Sequence, residues 1–171
     1  VKSGEERQLT TDGVEFNAYA LPPDAGRNFI VPQVLWSPDS KKIFTIQADG
    51  REVKEMPIIQ FAPPGGIRPV ASSRRVALPG DDHVPMFRMV IIDAETGKQH
   101  PIRYPDIPAV RMLDTPIAGG RAGWSADGAT AYFVDIARGE KVARLIAVDV
   151  ASGDTREVFT EERPESYIEL G

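Results

Sequence analysis

The chain has 171 residues, which at roughly 150 per domain allows one ordinary domain or a piece of a larger one. Glycine and proline number 15 each, about one residue in six against a usual share of ~12%, a surplus that disfavours a helical bundle. Apolar residues at 42% suffice for a core and exclude wholesale disorder, a net charge of −5 makes nucleic acid a poor partner, and the lack of cysteine excludes disulfide frameworks, thiolate zinc sites and cysteine nucleophiles.

The chain opens on Val1 rather than methionine and runs into a polar, strand-like stretch, which suggests a piece cut from a longer protein. Glu6–Gly13 reads as the last strand and exit turn of a preceding structural unit. Short apolar or alternating runs bounded by turn residues then follow, the pattern of strands: Val34–Trp36, Lys42–Gln47, Met56–Phe61 and Met86–Asp93. Across Ile107–Asp114, Val110 and Leu113 have helical spacing, but Pro105, Pro108 and Pro116 favour a loop. Strand patterns resume at Gly120–Trp124, Ala129–Ile136, Lys141–Val150 and Thr155–Thr160, and Tyr167–Leu170 reads as the start of another unit. No run nears the ~20 apolar residues of a membrane helix, and no charged-then-apolar leader opens the chain.

Two words occur twice, in the same order. Trp36-Ser37-Pro38-Asp39-Ser40 and its following strand are answered by Trp124-Ser125-Ala126-Asp127-Gly128, and Asp93-Ala94-Glu95-Thr96-Gly97 is answered by Asp149-Val150-Ala151-Ser152-Gly153. Each unit is then a four-stranded meander: a tryptophan strand, a Ser-x-Asp turn, two inner strands, and an Asp-initiated turn into a fourth strand. Runs such as Met89–Ile92 and Leu145–Val148 are apolar on both faces, as expected of a sheet stacked between two others. Self-similarity at this spacing predicts an all-β fragment of a β-propeller, about two complete four-stranded antiparallel blades plus flanking strands. The expected divisions are 1–13, the end of a preceding blade; 14–105, a blade with insertions; 106–162, a second blade; and 163–171, the start of the next. Such a segment exposes sheet faces and unpaired edges, which predicts self-association.

No residue of the chain forms a convincing catalytic set. Gly123-Trp124-Ser125-Ala126-Asp127 mimics the Gly-x-Ser-x-Gly elbow of hydrolases, but its fifth residue is wrong, a strand rather than a helix follows, and the word recurs at Trp36. Ser125 and Asp127 therefore read as turn residues. His83, beside Asp81 and Asp82, reads as part of an ordered loop rather than a metal site, and His100 as a surface residue. Arg74 and Arg75 are too few for an anion patch, while Glu5-Glu6 and Glu161-Glu162 are ordinary charges at strand ends. Trp36 and Trp124, at equivalent places, point to packing between blades rather than to a ligand. No phosphate loop, zinc spacing or calcium loop is present, so no cofactor or metal is implied, and the substrate-binding residues stay unassigned.

Trp36-Ser37-Pro38-Asp39-Ser40, then Leu78-Pro79-Gly80-Asp81, Val84-Pro85 and the strand ending in Asp93-Ala94-Glu95-Thr96-Gly97, resemble in order and wording the amino-terminal propeller of dipeptidyl-peptidase-IV-type serine peptidases. The likeness runs over Val34–Thr160; Trp-Ser-x-Asp-Gly alone is shared with TolB-type propellers. It implies a non-catalytic lid that gates peptide access to an α/β-hydrolase domain outside this chain, in a periplasmic or extracellular enzyme, with the family's catalytic serine, aspartate and histidine beyond Gly171. The family's amine-binding Glu-Glu pair has no counterpart: Ala20–Phe29 stands there, with Glu15 and Asp24 the nearby acids. Another peptidase subtype, an inactive relative, or a TolB-like or WD-type protein-binding propeller without chemistry stays open.

Overall fold

A computed structural model describes residues 4–21, 31–109 and 115–168. Among them the chain forms twelve strands and no helix. The first half gives β1 (Asn17–Tyr19), β2 (Val34–Trp36), β3 (Lys42–Asp49), β4 (Glu55–Gln60), β5 (Val70–Arg75), β6 (Met86–Asp93), β7 (Gln99–His100) and β8 (Ile107–Pro108). The second half gives β9 (Ala122–Trp124), β10 (Thr130–Ile136), β11 (Val142–Asp149) and β12 (Thr155–Glu162).

The second half is the predicted meander, β9 to β12 in spatial order with antiparallel neighbours throughout. In the first half six strands occupy four lanes. Along β3, residues 43–45 pair with β2 and residues 47–49 with β1. The outer lane is split likewise, Ile91–Ile92 of β6 pairing with β7 and Met86–Phe87 with β8. Ile107–Pro108, read from sequence with the second unit and as the start of a helical spacing, is thus a strand of the first sheet; 110–114 lie outside the described residues.

Residues of like parity on a strand share a face, and the register shows which face meets which neighbour. Phe44, Ile46 and Ala48 stand opposite Ile91, Met89 and Phe87. All six are buried, and they join Ala131, Phe133, Ile146 and Val148 of the second sheet in one hydrophobic cluster. The core therefore lies between the two sheets, with Phe44 and Phe133 fully buried, each side chain adding about 1.5–3 kcal/mol by leaving water. The other face of the first sheet is covered too, since Ile43, Thr45, Val90 and Ile92 are also buried. On the second sheet the face away from the core, from Thr130 to Ile136 at even positions, is half-buried.

Between β3 and β6 the chain projects the β4–β5 hairpin, a separate two-stranded sheet. Ile59, Phe61, Ile67 and Val70 on or beside it are exposed. At the ends, residues 4–13 form no strand, although Arg7 donates to the Ala94 carbonyl at 2.5 Å. Tyr167–Ile168 likewise form no strand; Ile168 is buried and its N–H bonds to Glu140 at 2.7 Å, while 169–171 lie outside the described residues.

Candidate functional site

The repeated words build the same turns. The Ser37 hydroxyl donates to Asp39 Oδ1 at 2.6 Å and accepts from the Lys42 N–H at 2.9 Å. The Ser125 hydroxyl does the same with Asp127, at 2.6 Å, and with the Thr130 N–H, at 2.9 Å. Each aspartate also accepts a backbone N–H two residues on, so hydrogen bonds hold both carboxyls below the ordinary range. Ser125 is therefore bonded as Ser37 is, in a turn between strands, with Asp127 rather than a histidine as its partner. The fifth residue of each turn has positive φ: +58° at Ser40 and +69° at Gly128.

The second word also repeats its geometry. Asp93 accepts from the N–H groups of Glu95 and Thr96 at 3.0 and 2.7 Å, and Asp149 from those of Ala151 and Ser152 at 3.1 and 2.8 Å. Both turns end on a glycine at φ +76°, and in both an earlier stretch of chain crosses that glycine closely. A Cβ on Gly97 would come within 2.6 Å of the Leu9 carbonyl oxygen, and one on Gly153 would overlap that of Pro101. Arg103 N–H then bonds to Gly153 O at 2.8 Å, and Thr155 Oγ1 donates to Arg103 O at 2.8 Å.

These crossings belong to a seam that ties the two sheets together. Trp124 sets its ring edge-on to Phe44, centroids 5.8 Å apart, and donates its indole N–H to Leu35 O at 3.2 Å. Tyr104 packs edge-on to Phe133 at 5.1 Å and donates to the buried Asp135 carboxylate at 2.7 Å. Burial first, then the bond to Asp135 and its charge, pushes the Tyr104 phenol well above its ordinary value of 10. Gln33 and Thr115, both buried, join through the Thr115 hydroxyl and the Gln33 side-chain carbonyl, while Thr45 donates to the Gln33 backbone at 2.7 Å. Sequence reading missed the polar seam residues, whose partners lie 31 and 82 positions apart.

The remaining singled-out residues do not converge. His83 Nδ1 faces Glu52 at 3.2 Å on an exposed loop, whose Asp81 caps the Leu78 N–H at 2.9 Å. His100 lies on β7 opposite Ile91. Arg75 donates to the carbonyls of Arg51 and Val53, at 2.9 and 2.6 Å, and lies 4.7 Å over the Phe16 ring, so it clamps the hairpin base; Arg74 pairs with Met56 across the hairpin. Successive strand residues project to opposite faces, which separates Glu161 from Glu162, and Glu161 accepts from Arg163 Nε at 2.6 Å. Those two residues, with Tyr167 and Ile168, line an open depression of about 490 Å³. Glu5 and Glu6 are exposed, Glu15 sits in the exposed turn before β1, and Asp24 lies outside the described residues. Among the described residues no three His, Asp or Glu side chains group as a metal-ligand set. Trp36, unlike Trp124, is 54% exposed.

Four-lane antiparallel sheets stacked through inner-strand aromatics and repeated turns define two blades of a β-propeller. The family described as the dipeptidyl peptidase IV (DPP IV) N-terminal region matches residues 1–171, and the chain belongs to it. Among solved structures it is similar to a protein of Bacteroides ovatus ATCC 8483 described as a dipeptidyl aminopeptidase IV, with TM-score 0.71 and 19% identity over 95% of this chain and 21% of that one. It is also similar to Porphyromonas gingivalis dipeptidyl peptidase 4, with TM-score 0.70 and 12% identity over 95% of this chain and 22% of that one. The chain thus spans about a fifth of the length of these structures, and at such identities the likeness is one of fold. No curated protein matches it in sequence.

Proposed function

We propose that this chain is a non-catalytic wall of a dipeptidyl-peptidase-IV-like serine peptidase, gating the passage of peptides to a hydrolase domain carried elsewhere in the parent protein. The family match over residues 1–171 is the observation that carries this reading. The Ser125 turn supports it, because a hydroxyl bonded to Asp127 exactly as its repeat partner Ser37 is bonded to Asp39 serves the fold. So does the seam, which makes the two sheets one stiff unit through Trp124, Tyr104 and Gln33. In this reading residues 14–105 and 106–162 are successive blades, and the open faces and edges of the isolated chain drive its self-association.

The test uses the full-length protein and a ladder of peptides from two to about thirty residues. Gating predicts that kcat/KM falls steeply beyond short peptides and that Trp124→Ala, which loosens the seam, raises turnover of long peptides relative to short ones. A flat ladder that Trp124→Ala leaves unchanged would remove the gating role.

A further inference from the structure

The seam is a lock with two halves, and each half recurs where no second half is seen. One half is the Trp124 indole, whose N–H meets Leu35 O at 3.2 Å and whose ring meets Phe44 at 5.8 Å. The other half is that carbonyl, on the residue before Trp36, together with the aromatic eight residues after Trp36. Trp36 occupies the same ladder position as Trp124: Trp36 stands opposite Ile43 in β3, and Trp124 opposite Ala131 in β10, seven residues on in each case. Yet Trp36 is 54% exposed. On the second sheet the complementary half is present again as the Gly123 carbonyl and Tyr132, eight residues after Trp124, and the space beside Gly123 is open.

We propose that the β2 face of the first sheet seats a further four-stranded repeat of this same kind. The carbonyl preceding that repeat's own tryptophan accepts the Trp36 indole N–H, and its aromatic eight positions later packs against the Trp36 ring. The occupant is a preceding repeat of the same polypeptide rather than a second copy, because the chain already arrives from that side. Leu9 crosses Gly97 as Pro101 crosses Gly153, and Pro101 directly follows β7 of the sheet that Trp124 locks onto. By the same translation, residues 4–13 stand where the segment leaving a preceding sheet would stand. The inference depends on repeat geometry alone and holds whether or not a hydrolase domain is attached.

Hydroxyl-radical footprinting read by mass spectrometry follows both tryptophans separately, in the 171-residue chain and in the full-length protein. In the 171-residue chain Trp36 should oxidise several-fold faster than Trp124, and in the full-length protein the two rates should agree within about twofold. Trp36 oxidising as fast in the full-length protein as in the short chain would overturn the proposal. Protection of Trp36 that grows with the concentration of the short chain, with none added in the full-length protein, would assign the face to a second copy and overturn it equally.

Discussion

Gly153→Ala is the substitution whose outcome the seam geometry specifies most closely. Two effects add. At φ +76° an L-residue pays about 1–2 kcal/mol for left-handed backbone, and the new methyl would overlap the Pro101 carbonyl oxygen, with the Pro101 carbonyl carbon at 3.1 Å. The obstacle is backbone that Arg103 and Thr155 hold in place, so relief requires the crossing to lift from the turn, an overpacking effect of about 1–3 kcal/mol. Gly120→Ala isolates the first effect, because Gly120 has φ +67° and nothing within 4 Å of an added Cβ. Urea unfolding followed by tryptophan fluorescence, with slopes of roughly 1–3 kcal/mol per molar, should show a loss of about 1–2 kcal/mol for Gly120→Ala and about 2–5 kcal/mol for Gly153→Ala. Equal losses for the two variants would refute the close crossing, and with it the argument that the second turn is built around its neighbour's exit segment.

Ser40→Gly should stabilise the chain by about 1 kcal/mol, since Ser40 holds φ +58° where its repeat partner is Gly128, and Gly128→Ser should destabilise it by a similar amount; thermal unfolding reads both. Trp124→Phe should cost about 1 kcal/mol by removing the hydrogen bond to Leu35, whereas Trp36→Phe in the 171-residue chain should leave the urea midpoint nearly unchanged. The folded state keeps the Tyr104 proton more tightly than the unfolded chain does. Its contribution should therefore be intact below pH 10 and decline as the pH rises above it. Stability measured between pH 9 and 11 should fall less steeply in Tyr104→Phe than in the parent chain.

The two meanders were legible because their turns are encoded locally. A serine, an aspartate two residues on and a residue tolerant of positive φ close each tryptophan turn through bonds spanning at most five positions. The inner strands β3, β6, β10 and β11 announced themselves by apolar side chains on both faces, and the register bears this out for β3 and β6. The strands that sequence did not show are those that pairing alone creates. β1, β7 and β8 are two or three residues long and exist because a lane on β3 or β6 stands open beside them. β5, Val70–Arg75, is polar and largely exposed, and only its partner β4 makes it a strand. The helical spacing at Val110 and Leu113 misled for a related reason, since the segment's start is claimed by β6. Of the candidate site, Trp124 was readable from its repeat position. Tyr104 with Asp135 and Gln33 with Thr115 were not, because a bond between side chains far apart in sequence leaves no local pattern.

The most direct measurement of the account is active-site labelling of the full-length protein with a fluorophosphonate, followed by mapping of the modified serine. The account predicts a label outside residues 1–171 and unaltered labelling in Ser125→Ala. A label on Ser125, or on any serine of these two blades, would contradict it.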